Sequence, residues 1–175
     1  NQAELFESLR NGRIALLLTY DMNLPPDIAF LPLAELPPYA YVASQHRLAR
    51  KRSIRLEDLA SEPFLLLDLP LSRDYFLGLF RQAGITPNIA GSYSHFDVIR
   101  SLVARGEGFS LANAQPKNQS SLDGRKLAYL ALESTLRPLV HGVATLKGMR
   151  RTPTVDAFMA LCQEILTDKK LPGTV

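Results

Sequence analysis

Two serine-led junctions carry the residue types that a site would use. Ser72-Arg73 follows the apolar run FLLLD at 64–68, and Ser94-His95-Phe96 follows NIAGSY at 88–93. Nucleophilic catalysis at either would need a base within reach of the serine and a third group to orient that base. Ser94 and His95 are chain neighbours, too close to form such a pair, and there is no G-x-S-x-G elbow. His46 and His141 stand alone, and no His, Cys and Asp residues share metal-ligand spacing. Gly106-x-Gly108 comes after a helical segment rather than before one, so it is not a dinucleotide fingerprint, and no Gly-x-x-x-x-Gly-Lys loop is present. The expectation is no catalytic residue, no metal and no cofactor.

Binding is within reach of the same residues. The first turn of a helix presents free amide hydrogens and the positive end of the helix dipole, which attract carboxylate or phosphate. Ser72 and Ser94 are the expected N-caps, and Ser94-x-x-Asp97 has capping-box spacing with Asp in place of Glu or Gln. Capping alone would also account for both serines. Arg73 could pair with an anion through its planar fork or simply lie on the surface. Thr19, Tyr20 and Asp21 end ALLLTYD, and Asn113 ends FSLAN. Strand ends of this kind are what a cleft recruits in an open parallel sheet, although turns use the same residues.

The elements that must hold these residues are legible in the spacing. QAELFESLRNG (2–12) puts Leu5, Phe6 and Leu9 on one helical face and stops at Asn11-Gly12, and RIALLLTY (13–20) has the look of a buried parallel strand. DIAFLPLAELPPYAYVAS (27–44) alternates and is proline-rich, which predicts strands at edges or bends. SIRLEDLASEP (53–63) predicts a short helix ended by Pro63. Then FLLLD (64–68), SRDYFLGLFRQAG (72–84), NIAGSY (88–93), SHFDVIRSLVARG (94–106) and GFSLA (108–112) read as βαβαβ with parallel strands, Gly106 being a left-handed C-cap and Gly108 relaxing the turn. KLAYLAL (126–132) and LVHGVATL (139–146) are later strands. TPTVDAFMALCQEIL (152–166) is a helix capped by Thr152 with Val155, Phe158, Met159, Cys162 and Ile165 as its stripe.

Composition fits an α/β globular chain: 175 residues, 46% hydrophobic, 21% charged, net charge +3. That balance is too weak to argue for nucleic acid. The dense basic run HRLARKRSIR (46–55) reads as a solvated loop. Cys162 is the single cysteine, which excludes an internal disulfide and points to a reducing compartment. No apolar stretch approaches the roughly 20 residues of a membrane helix. The chain starts inside a helical pattern without an initiator Met and reads as a fragment.

Taken in order, LFESLRNGRIALLLTY, QHRLARKRSIRLEDLASEPFLLLD, SYSHFDVIRSLVARGEGFSLANAQP and TPTVDAFMALC resemble the effector-binding domain of LysR-type transcriptional regulators over residues 5 to 166. Arg47 stands where that family usually has proline, and Ala15 where an acidic residue often sits. The family's domain normally opens with a further strand-helix-strand, preceded by a winged helix-turn-helix; neither is in this sequence. The resemblance implies a two-lobe, periplasmic-binding-protein-like α/β fold with mostly parallel sheets joined by two crossover strands. Lobe I would take residues 1–62 plus 136–167, lobe II residues 63–135, and 168–175 would be a C-terminal tail. A small, anionic effector would lie between the lobes against Thr19, Tyr20, Ser72, Arg73, Ser94, His95, Phe96 and Asn113. The resemblance further implies a cytoplasmic homodimer or homotetramer that meets DNA only through the N-terminal domain absent here, and no membrane.

Two other functions are compatible with the residues. A free-standing solute-binding protein of a transporter would use the same fold. An enzyme on a related two-lobe scaffold would need a positioned base, nucleophile or cofactor loop.

Overall fold

Among the described residues, a strand-helix-strand-helix-strand run with parallel strands occurs between residues 63 and 112. The structure, a computed structural model, describes residues 2–133 and 136–166. In chain order its elements are α1 (Gln2–Arg10), β1 (Leu17–Tyr20), β2 (Ile28–Leu36), β3 (Tyr39–Ala43), β4 (Ser53–Ile54), a 3₁₀ turn (Leu56–Leu59), β5 (Pro63–Leu67), α2 (Pro70–Gln82), β6 (Asn88–Tyr93), α3 (Phe96–Ala104), β7 (Ser110–Ala112), β8 (Leu127–Leu132), β9 (Leu139–Leu146) and α4 (Pro153–Ile165). Contacts divide them into two compact units. One holds residues 2–36 and 139–166, and the other 37–133 with 136–138.

The first unit is a three-stranded antiparallel sheet in the order β1-β9-β2. β2 lies at an edge, where Pro32 costs no ladder hydrogen bond, and its register shifts between Pro32 and Ala34. Successive strand residues face opposite ways, and the central strand uses this: Ala144 packs with Phe6 and Leu9 of α1, while Val143 packs with Val155, Met159 and Cys162 of α4. One helix thus covers each face. Thr152 caps α4 as expected, its hydroxyl oxygen accepting from the Val155 amide at 3.4 Å, with Pro153 in the first turn.

In the second unit the same alternation operates around β5. Phe64 joins Phe109 and Phe80 of α2, at ring separations of 4.9 Å to Phe80 and 5.2 Å to Phe109. Leu65, its neighbour, packs with Ile99, Val103 and Ala104 of α3, together with Tyr41, Ala112 and Leu127. β5 pairs in parallel with β6, and it is joined to the start of the β7 segment by Leu65 N–H to Phe109 O and Phe109 N–H to Pro63 O, both 2.9 Å. β7 continues into a four-stranded sheet in the order β4-β8-β3-β7.

Several expectations are corrected. The α/β class and the parallel βαβαβ run hold, but the sheets are not mostly parallel. Among the described residues β1·β9, β2·β9, β3·β7 and β3·β8 are antiparallel, and only β4·β8 and β5·β6 are parallel ladders. RIALLLTY is ordered as a strand only from Leu17, at a sheet edge with Leu18 38% exposed, because its partner β9 runs antiparallel on one side alone. β3 is an interior strand, not an edge. SIRLEDLASEP forms the two-residue β4 and a 3₁₀ turn rather than an α-helix. Leu5, Phe158 and Ile165, expected on buried stripes, are 41–44% exposed at the margins of their helices. Residues 37–62 belong with the second unit rather than with lobe I, since β3 lies between β7 and β8. The proposed tail, 168–175, lies outside the described residues, as do the lobe margins at 134–135 and 167.

Gly106 has the left-handed φ of 88° that a helix C-cap position favours. Gly108 does more than relax a turn. Its φ is 151°, and a Cβ there would collide with the Pro63 carbonyl oxygen that Phe109 N–H must reach. Gly108→Ala should therefore destabilise the chain by about 1–3 kcal/mol. Gly124→Ala, at a turn where a Cβ meets nothing within 4 Å, should cost only about 1 kcal/mol for its φ of 79°. Urea denaturation of the two variants measures the difference, and equal losses would contradict the close-approach account.

Candidate functional site

The site in the second unit is built by strand direction. β5 and β6 are parallel neighbours, so their carboxyl ends share one edge, and β5 is also joined in parallel to Phe109 just before β7. α2 leaves β5 at that edge, α3 leaves β6 there, and Asn113 follows the last residue of β7. Six of the eight candidate residues, Ser72, Arg73, Ser94, His95, Phe96 and Asn113, are brought to this edge by topology.

Neither serine caps its helix. α2 starts two residues ahead of Ser72, with Leu69 as N-cap and Pro70 supplying the fixed φ that suits a first turn. α3 starts after Ser94, with His95 at the N-cap in extended conformation and no side-chain hydrogen bond to the first turn. Proline at 70 outweighs a serine cap at 72, and a helix end can shift by one or two residues at little cost. Ser72 is therefore inside the first turn of α2, partly buried, and Ser94 and His95 are exposed on the approach to α3. The consequence is chemical: no side chain occupies the first amides of either helix, which remain available to an anion.

Arg73 is held in place. Its Nη1 donates to both carboxylate oxygens of Asp68, at 2.9 and 3.1 Å, just beyond the end of β5. Asn113 Nδ2 donates to Tyr75 Oη at 2.9 Å, and that hydroxyl donates to the Arg137 carbonyl at 2.9 Å. Asp68, Tyr75 and Arg137 were missed in the sequence. The signal for two of them was present: Asp68 is the polar residue ending FLLLD, and Tyr75 lies one turn after Ser72. Phe96 is partly buried, its ring edge-on to Tyr41 at 6.0 Å and beneath the Arg100 guanidinium.

Thr19 and Tyr20 belong to the first unit. Thr19 is only 7% exposed, and its hydroxyl accepts from Gln2 Nε2 at 3.1 Å, which also donates to the Met22 carbonyl. Tyr20 is half exposed at the sheet edge opposite His141, with ring centroids 5.3 Å apart. Burial disfavours the imidazolium of His141 and lowers its pKa below 6.5, and its Nδ1 has no hydrogen-bond partner among the described residues. Among the described residues no group of three or more His, Cys, Asp or Glu could hold a metal, and no helix is long and apolar enough to cross a membrane.

The His141 shift has a sign. A base with a depressed pKa binds fewer protons folded than unfolded below pH 6.5, so stability falls as pH drops through that value. His141→Phe, which keeps a ring against Tyr20, should flatten the fall between about pH 6.5 and 5 in denaturation curves. An unchanged pH slope in the variant would exclude His141 as its source.

Residues 1–167 match the model of the LysR substrate binding domain. The chain is 28% identical over 159 residues to the HTH-type transcriptional regulator YybE of Bacillus subtilis, covering 88% of this chain and 52% of that protein. It thus spans about half the length of that relative. HinK, a LysR family transcriptional regulator from Pseudomonas aeruginosa, superposes with a TM-score of 0.89 at 34% identity, covering 95% of this chain and 58% of that one. The effector binding domain of QuiR in complex with shikimate superposes at 0.75 with 25% identity, covering 93% of this chain and 77% of that one. The α/β elements described above are those of the two-lobe, periplasmic-binding-protein-like fold of such domains, and the chain belongs to the LysR substrate-binding-domain family.

Proposed function

We propose that this chain is the sensing domain of a transcription regulator and that it binds a small carboxylate-bearing effector without altering it. The observation that carries the reading is the shared edge: two helix starts with uncapped first amides, an arginine fixed by Asp68, and the Asn113 amide fixed by Tyr75. Amide donors, dipole ends and one guanidinium would form a surface for an anion. QuiR's complex with shikimate, a carboxylate, supports the ligand class. Ser72, Arg73, Ser94, His95, Phe96 and Asn113 are the proposed contacts in the second unit, and Thr19 and Tyr20 are those of the first.

In the whole protein, effector binding would favour one arrangement of the domain over another and so alter DNA binding and transcription through a domain outside this sequence. A ligand shifts such an equilibrium only by its difference in affinity for the two arrangements. A cytoplasmic, self-associating regulator fits this role.

Thermal melting in a panel of small carboxylates, shikimate and benzoate included, tests the reading. At least one should raise the melting temperature in a concentration-dependent way. Arg73→Ala should weaken that ligand by about tenfold, the worth of a charge-assisted hydrogen bond. Without ligand the same variant should melt close to the parent, because its ion pair with Asp68 is half exposed and such pairs contribute about 0–1 kcal/mol. A panel that leaves the curve unmoved, or an Arg73→Ala variant with undiminished response, would refute the assignment.

A further inference from the structure

The chain passes between its two compact units after Leu36 and again after Pro138. At the second passage, α2 holds the peptide groups of Arg137. The Arg137 carbonyl accepts from Tyr75 Oη at 2.9 Å, and its amide donates to Gln82 Oε1 at 3.5 Å. Tyr75 and Gln82 lie about two turns apart on α2 and so share a face of the helix. Pro138 has no amide to donate, and it biases Arg137 toward extended backbone. The hydrogen-bonded grip on this side of the passage therefore falls on Arg137.

The stronger of the two bonds comes from a buried group. Tyr75 is 8% exposed, with its ring edge-on to Phe76 at 5.3 Å. A phenol has one hydrogen to give, and a carbonyl can only accept, so that hydrogen goes to Arg137. The Tyr75 oxygen accepts in turn from Asn113 Nδ2 at 2.9 Å. Asn113, Tyr75 and Arg137 thus form a chain of hydrogen bonds with one direction, from the end of β7 to the passage between units. Bonds in such a chain polarise one another, so weakening the first weakens the second. α2 also carries Ser72 and Arg73 in the turn before Tyr75, at the edge proposed for the effector.

We propose that Tyr75 is a positioning residue that ties the Asn113 carboxamide to the Arg137 peptide, so that a group engaging Asn113 is felt where the chain leaves this unit. An anion that competes for the Asn113 amide loosens the phenol and, through its shared oxygen, the grip on Arg137. Only what engages Asn113 rests on the effector reading; the linkage belongs to the ligand-free chain.

The carbonyl ¹³C resonance of Arg137, in the ligand-free 175-residue chain, reads the linkage. Tyr75→Phe keeps the ring and removes the hydroxyl, and it should move that resonance upfield as the bond is lost. Asn113→Asp keeps the shape of the side chain but offers a carboxylate that takes the phenol hydrogen. It should move the Arg137 resonance the same way, and Asn113→Ala, which only removes the donor, should move it less. Neither change should add anything in the Tyr75→Phe background. The Asn118 carbonyl, which accepts from Arg100, should stay in place throughout and report an intact fold. A carboxylate that raises the melting temperature should displace the Arg137 resonance in the parent; with Tyr75→Phe it should still raise melting but leave the resonance still. An Arg137 resonance that ignores all three substitutions, or moves as far for Asn113→Asp in the Tyr75→Phe background, would overturn the proposal. A panel with no binder would defeat the effector reading instead, while the ligand-free shifts still decide the linkage.

Discussion

Two backbone hydrogen bonds, Leu65 N–H to Phe109 O and Phe109 N–H to Pro63 O, set the geometry on which the second unit depends. They fasten the β7 segment to β5 in the parallel sense, as β6 is fastened on the other side. Once three chain segments run the same way, their carboxyl ends must lie together, and whatever follows each strand begins on one edge. α2, α3 and Asn113 are those followers. The pairing demands close backbone approach at Gly108, where a side chain would strike the Pro63 carbonyl. It also fixes parity: Phe64 faces α2 and Leu65 faces α3, so each helix finds its own apolar surface.

How much of this was legible depends on what kind of physics each feature rests on. The βαβαβ run was readable because its cues are local: FLLLD and NIAGSY are bounded by helix periods, and Gly84 and Gly106 take the positive φ that ends each helix. Strand direction elsewhere was not readable. RIALLLTY has the composition of a buried parallel strand, yet its partner β9 comes from more than a hundred residues away and runs opposite to it. An apolar run records burial preference and says nothing of its neighbour's heading. The division between units was misplaced for a related reason, since Tyr39–Ala43 continues the alternating pattern of Ile28–Leu36 across Pro37-Pro38 while pairing with different strands.

At the candidate site, residue types were legible and partners were not. Arg73 and Asn113 stand out in the sequence as strand-end and helix-start polar groups. That Asp68 grips the first and Tyr75 the second is a tertiary fact. At α2 the serine cap gives way because two local rules compete. Proline at Pro70 supplies a first-turn φ outright, whereas a serine hydroxyl two residues later supplies one hydrogen bond, and the helix takes the earlier start. Without the caps, the first amides of both helices are not spent on a serine side chain.

A row under α3, in which Tyr129, Tyr41 and Ser110 lie side by side on β8, β3 and β7 with Arg100 reaching in from the helix, extends the same logic into the core. An all-apolar interface of α3 with the sheet would be more stable than one holding two phenols, a serine and an arginine, unless each polar atom is satisfied. Arg100 is half satisfied by the 118–120 segment, whose carbonyls it clamps, and this ties a loop to the helix that starts at the candidate edge. Phe96 belongs to both places, edge-on to Tyr41 below and at the start of α3 above. The two polar regions of this unit thus meet at one aromatic side chain, and β7 joins them a second time, because Ser110 lies in the row and Asn113 follows the end of the same strand.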